Sequence, residues 1–220
     1  MQILISIIRF PEISLLTRDA HKLRGYFGNL FREQSPLLHN HFDDGSLIFR
    51  YPLVQYKVID QIPILMGLNE GADLLTSLFL KIKTLDIEGR IYEINFKNIE
   101  NKESETGVND NLNEYKFKTL WMGLNQENYR NYILCKDEIV KKKMLEKILT
   151  GNILSYFKST GYFADVKILL LAKLIEKKTK FKGNEMLAFE GGFTTNAALP
   201  DLIGLGKSVS RGFGSIYKSD

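Results

Sequence analysis

The sequence predicts an α+β fold with antiparallel sheets, built as two consecutive domains. Three observations carry the prediction. The elements over residues 1–98 follow the order strand, helix, strand, strand, helix, strand; residues 99–113 are polar, with too few apolar groups for a core; and a second run of strands and helix follows, ending in a short strand at Phe213 to Tyr217. The first order is the split βαβ of a ferredoxin-like domain. The expectation is therefore two such domains in tandem, 1–98 and 114–220, joined by a linker at 99–113, with the second match looser because its second helix is barely visible.

Gln2 to Phe10 is an Ile-rich run that reads as a buried strand. Ser14 or Thr17 can cap a helix reaching about Arg32, because Leu16, Ala20, Leu23, Phe27 and Leu30 recur at helical spacing. After a polar loop at 34–45, Ser46 to Tyr51 and Val54 to Asp60 read as strands broken by Pro52, and Pro63 to Gly67 as a further extended run. Asn69 or Glu70 opens a second helix to about Lys83, and the alternation Ile91, Ile94, Phe96 places a strand at Arg90 to Lys97. In the second domain, Glu114 to Leu124 reads as a strand and Gln126 to Phe157 as a helical region broken near Gly151. Strands are expected near Val166 to Ile175 and Lys182 to Glu190, then a short helix in Thr194 to Ile203.

With 220 residues and 44% hydrophobic content, each domain can hold its own core. A single cysteine, Cys135, excludes an internal disulfide and a multi-cysteine zinc site, as expected of a reducing cytoplasm. The apolar run at 2–9 lacks a basic leader and a small-residue cleavage site, and no uncharged apolar stretch reaches the roughly 18 residues of a membrane helix. A cytoplasmic protein without a membrane partner is expected. Charge is uneven: residues 1–139 carry 16 Lys+Arg against 19 Asp+Glu, whereas residues 140–220 carry 14 against 7. A basic C-terminal part suits a polyanion, although such a surface also serves simple solvation.

That basic part contains Gly204-Leu-Gly-Lys-Ser-Val-Ser-Arg-Gly-Phe-Gly214. Gly204, Gly206, Gly212 and Gly214 permit positive φ and close backbone approach, so that amide groups can converge on an anion, while Lys207 and Arg211 carry charge and Ser208 and Ser210 hydroxyls. It is not a Walker A loop, since Asp201 stands where the first glycine belongs, nor a dinucleotide fingerprint, since Val209 replaces the third glycine. A turn in a flexible tail is the alternative.

The other chemical cluster is His39-Asn-His41, followed by Asp43 and Asp44. Two imidazoles can exchange protons near neutral pH as base and acid. The same residues could hold a metal, though no third ligand stands at firm spacing, or could be polar loop residues. His21 reads as a helix-surface or packing residue. Phe49, Tyr51 and Tyr56 could stack on bases, but strand aromatics are more often core, and the usual RNA-recognition signature is absent.

The Gly-apolar-Gly, five-residue, Gly-apolar-Gly frame resembles the C-terminal loop of the CRISPR-associated precursor-RNA endoribonucleases, the sixth-numbered Cas family. Leu4-Ile-Ser-Ile-Ile, Lys22-Leu-Arg-Gly-Tyr-Phe-Gly28, His39-Asn-His41 and Arg50-Tyr-Pro-Leu-Val-Gln-Tyr-Lys57 resemble its b-type branch. The resemblance implies tandem RNA-recognition-motif-type domains and metal-independent cleavage of CRISPR repeat RNA, with no cofactor and no metal. It implies His39 and His41 as the paired catalytic histidines, Tyr51 as the supporting tyrosine, and a helix cation among Lys22, Arg24 and Arg32. RNA would run over Gly204, Gly206, Lys207, Ser208, Ser210, Arg211, Gly212 and Gly214, with Lys167, Lys173, Lys177, Lys178, Lys180 and Lys182 as an electrostatic track. Repeat RNA is the expected partner, other CRISPR effector subunits are further candidates, and the protein would be a monomer or homodimer.

Overall fold

The computed structural model describes residues 1–31, 51–181 and 183–219. The chain divides into two compact units: residues 2–104 together with Val209–Gly212, and residue 1 with 105–208 and the residues from Phe213 on.

In the N-terminal unit, β1 (Gln2–Arg9), β2 (Val54–Ile59), β3 (Ile62–Leu68) and β6 (Asn98–Glu105) form a sheet of order β2-β3-β1-β6. Both β2 and β1 lie antiparallel to β3. This is the strand order of a ferredoxin-like domain, with β6 as its fourth strand. Helices α1 (Ala20–Leu30) and α2 (Glu70–Leu78) contribute Leu23, Phe27 and Leu75 to a core that includes Ile8, Phe10, Tyr56 and Leu65. Phe27 stacks at centroid distances of 5.9 Å on Tyr56 and 6.3 Å on Phe10. Tyr56 is therefore a core residue and not a base-stacking platform.

Several boundaries differ from expectation. Neither Ser14 nor Thr17 caps α1; a 3-10 turn at Thr17–Asp19 precedes it, and the Asp19 carboxylate accepts from the Leu16 N–H at 3.0 Å. The strand expected at Arg90 to Lys97 is a short hairpin, β4 (Thr84–Ile87) with β5 (Arg90–Glu93), outside the main sheet. The segment 99–113, expected to be a linker, is strand: β6 and then β7 (Gly107–Phe117). Its polar composition hid the strands because ladder hydrogen bonds need no apolar side chain; β6 adds to β1, and β7 is paired on both sides within the C-terminal sheet. The expected strand Ser46 to Tyr51 lies almost wholly outside the described residues.

In the C-terminal unit, β8 (Leu170–Phe181), β9 (Asn184–Ala198) and β10 (Ile216–Lys218) join β7 in the order β10-β7-β9-β8, the same ferredoxin-like arrangement. Helix α3 (Gln126–Leu134) precedes α4 (Glu138–Ser159). The helical break falls at Cys135–Asp137 and not at Gly151, because Asp137 accepts from the N–H groups of Ile139 and Val140 and restarts the helix there. No short helix occupies Thr194 to Ile203; β9 runs to Ala198, with Thr195 and Ala197 paired and buried. Between β9 and β10, where a ferredoxin-like domain carries its second helix, stand the glycine-rich loop and a single 3-10 turn, Val209–Arg211. Among the described residues, no helix is long and apolar enough to cross a membrane.

Candidate nucleic-acid interface

The glycine-rich loop is a folded feature. Gly204 bridges Ser215, and the Leu205 N–H donates to the Gly214 carbonyl at 2.9 Å, closing its base. The amides of Lys207 and Gly214 donate to Met122 and Leu120, and that of Gly212 to Val209. These four amides are engaged within the protein. Three of the glycines serve close approach, among them Gly206, at φ +92°, where a Cβ would stand 2.7 Å from the Met122 oxygen. Gly214, at φ +67°, would place a Cβ 1.9 Å from the Leu205 oxygen, and Gly212, at φ +88°, would place one 2.7 Å from Ala20 Cβ. Of the loop side chains, Lys207 is exposed, and Ser208, Ser210 and Arg211 are partly exposed.

Val209–Gly212 belongs to the N-terminal unit, where Gly212 lies against α1 and β2. This brings Arg211 near Arg24 of α1. Burial, and then the Arg211 guanidinium, hold Arg24 below its usual pKa. Two cations near one another in a partly dehydrated place attract a phosphate, because an anion relieves their repulsion. Lys22, also on α1, is differently placed. It pairs with Asp19 and with Glu88, both at 2.8 Å, and these partners, Asp19 first, raise its pKa. It links α1 to the β4–β5 hairpin.

Tyr51 is buried, and its hydroxyl accepts a hydrogen bond from Gln55 Nε2 at 2.8 Å. Gln55 Oε1 in turn accepts from Lys57 Nζ at 2.9 Å. Lys57 is fully buried, and burial pushes its ammonium down to about 7. Neither Gln55 nor Lys57 was singled out from sequence. The available signal was parity: Tyr51, Gln55 and Lys57 are odd-numbered in a run whose even positions Val54, Tyr56 and Val58 fill the core. His39, His41, Arg32, Asp43, Asp44 and Phe49 lie outside the described residues, as does Lys182.

On the C-terminal unit, Lys173, Lys177, Lys178 and Lys180 are all exposed on β8, which lies at the edge of its sheet. Strand alternation sends Lys173 and Lys177 to one face and Lys178 and Lys180 to the other, and Lys177 pairs with Glu190 at 3.0 Å. Lys173, with Lys141 and Lys142 of α4 and Tyr132 of α3, lines a cavity of about 320 Å³. Lys167 is also exposed.

Two family models cover the chain: the Cas6b N-terminal domain matches residues 1–105 and the Cas6b C-terminal domain residues 107–219. The chain belongs to the Cas6b family. A crystal structure of Cas6b is 36% identical and superposes with a TM-score of 0.94, both chains covered in full. A second solved Cas6b, described as a CRISPR RNA processing endoribonuclease, is 33% identical with a TM-score of 0.81, again over both full chains. An uncharacterised protein of Methanocaldococcus jannaschii is 40% identical over 144 residues, 64% of this chain and 96% of that protein. Csf5, a type IV Cas6 crRNA endonuclease, shares the fold at a TM-score of 0.62 and 10% identity.

Proposed function

We propose that this Cas6b-family chain is an endoribonuclease of CRISPR repeat RNA that cuts without a metal. The 2′-OH attacks the adjacent phosphorus, the bond to the 5′ oxygen breaks, and the products are a 2′,3′-cyclic phosphate and a 5′-OH. One of His39 and His41 takes the 2′-OH proton and the other gives a proton to the leaving oxygen, so the two imidazoles exchange protonation states during one cut. Tyr51 donates toward the phosphorane. Arg24 and Arg211 balance its extra negative charge, and Lys207, Ser208 and Ser210 hold flanking phosphates.

The observation that carries this reading is the Arg24–Arg211 neighbourhood. A guanidinium from the glycine-rich loop, near the end of the chain, and one from the first helix come together in the unit that β1–β3 and β6 build. Membership of the Cas6b family adds the substrate class.

The test is incubation with the repeat transcript of the host's own CRISPR array in EDTA, followed by end-group analysis. Cyclic phosphate and 5′-OH ends are expected, and His39→Ala with His41→Ala should abolish cutting while leaving affinity nearly unchanged. Equal loss of binding and cutting would make the histidines binding residues. Cleavage that disappears with chelator would instead favour a metal site at His39, His41, Asp43 and Asp44.

A further inference from the structure

We infer that the outer edge of β8 is a docking site for an extended acidic segment of another protein chain, which adds to the C-terminal sheet as a further strand. The site lies within one unit and is independent of the reaction proposed above.

Strand β8 stands last in the order β10-β7-β9-β8, and among the described residues no strand lies on its other side. It pairs with β9 without a register break from Leu170 to Phe181, so its residues alternate strictly. The Ala172 N–H points away from β9 and donates to Glu146 Oε1 of α4 at 3.0 Å. Leu174, Glu176 and Lys178 share the parity of Ala172 and turn their N–H and C=O groups outward as well. The cavity of about 320 Å³ between α4 and β8, lined by Lys141, Lys142, Lys173 and Leu174 among others, adjoins this edge.

A row of alternating donors and acceptors is satisfied by another backbone, whereas phosphates offer acceptors only and would leave the carbonyls unmet. Charge selects the kind of backbone. Strand β8 carries Lys173, Lys177, Lys178 and Lys180 against the single carboxylate of Glu176. A second copy of β8 laid along the first would oppose lysine to lysine, while an acidic strand is attracted. Lysines alone would serve to keep an edge from self-association, but the odd-numbered face also presents Leu171 and Ile175, 67% and 59% exposed. Cross-strand pairing then specifies an apolar residue beside Ile175 and a carboxylate two positions to either side, beside Lys173 and Lys177. Lys177 already pairs with Glu190 at 3.0 Å, and its ammonium has further donors for a second carboxylate.

The probe is a fluorescein-labelled peptide, Thr-Glu-Thr-Ile-Thr-Glu-Thr, with Glu-Glu-Thr-Thr-Ile-Thr-Thr as a control of equal composition that breaks the spacing. The alternating peptide should bind the wild-type protein about 10-fold more tightly than the control, and should slow hydrogen exchange at the amides of Leu174, Glu176 and Lys178. Lys178→Pro removes an outward N–H without a ladder bond to β9 and should abolish binding, whereas Lys178→Gln, which loses the same charge, should weaken it by about 3-fold at most. Lys173→Glu, which leaves the backbone untouched, should weaken it about 10-fold and serves if the proline variant fails to fold. Equal binding of the two peptides, or unchanged exchange at those amides, would overturn the inference. So would protection of the same amides by a single-stranded RNA heptamer and not by the peptide, which would make the edge an RNA contact, or protection on raising protein concentration alone, which would make it a contact between copies.

Discussion

Lys57 makes a sharp prediction about stability. In the unfolded chain its ammonium has the usual pKa near 10.4; in the folded protein burial lowers it to about 7. Between those values the unfolded state holds a proton that the folded state has lost, so stability rises with pH across that window and is flat below it. At pH 7 the penalty for burying the lysine is about 4 kcal/mol, and by pH 10 it falls to about 1 kcal/mol. Lys57→Met removes the penalty but also the donor to Gln55, a loss of about 1 kcal/mol at every pH. The methionine variant should therefore be more stable by about 3 kcal/mol at pH 7 and level with wild type by pH 10. Urea titrations at pH 7, 8, 9 and 10, following the unit that contains Lys57, give the difference directly. Tyrosine ionisation near the upper end is common to both proteins and cancels. Parallel pH profiles would refute the claim that a dehydrated ammonium is present, whatever the absolute stabilities.

Two further outcomes follow from the loop. Arg211→Ala should weaken binding of repeat and unrelated single-stranded RNA alike and reduce the slope of log K against log salt by about 0.7; an unchanged slope removes Arg211 from the phosphate contacts. Gly214→Ala should destabilise the loop by about 2 kcal/mol or more, read as a lower melting temperature and loss of RNA affinity, because the new methyl meets the Leu205 carbonyl at a positive φ; an unaltered melting curve would mean the loop closes in another way.

The sequence by itself determined what is local. The apolar run of β1, the 3.6-residue spacing of Leu23 and Phe27, and the turns around β2, β3 and α2 each carry their signal within a few neighbours, so these elements were legible to within a few residues. The glycine-rich loop was legible too, from its spacing alone. Its spacing marked the family, and the structure adds that Gly212 and Gly214 admit close neighbours at positive φ. Strands β6 and β7 were illegible because their polar side chains say nothing of the backbone ladders that hold them. Only the tertiary structure brought Arg211 to Arg24, almost the whole chain apart, and only burial of β2 made Lys57 an unusual lysine. Charge proximity and dehydration are properties of the surroundings of a residue, and those surroundings come from segments distant in sequence.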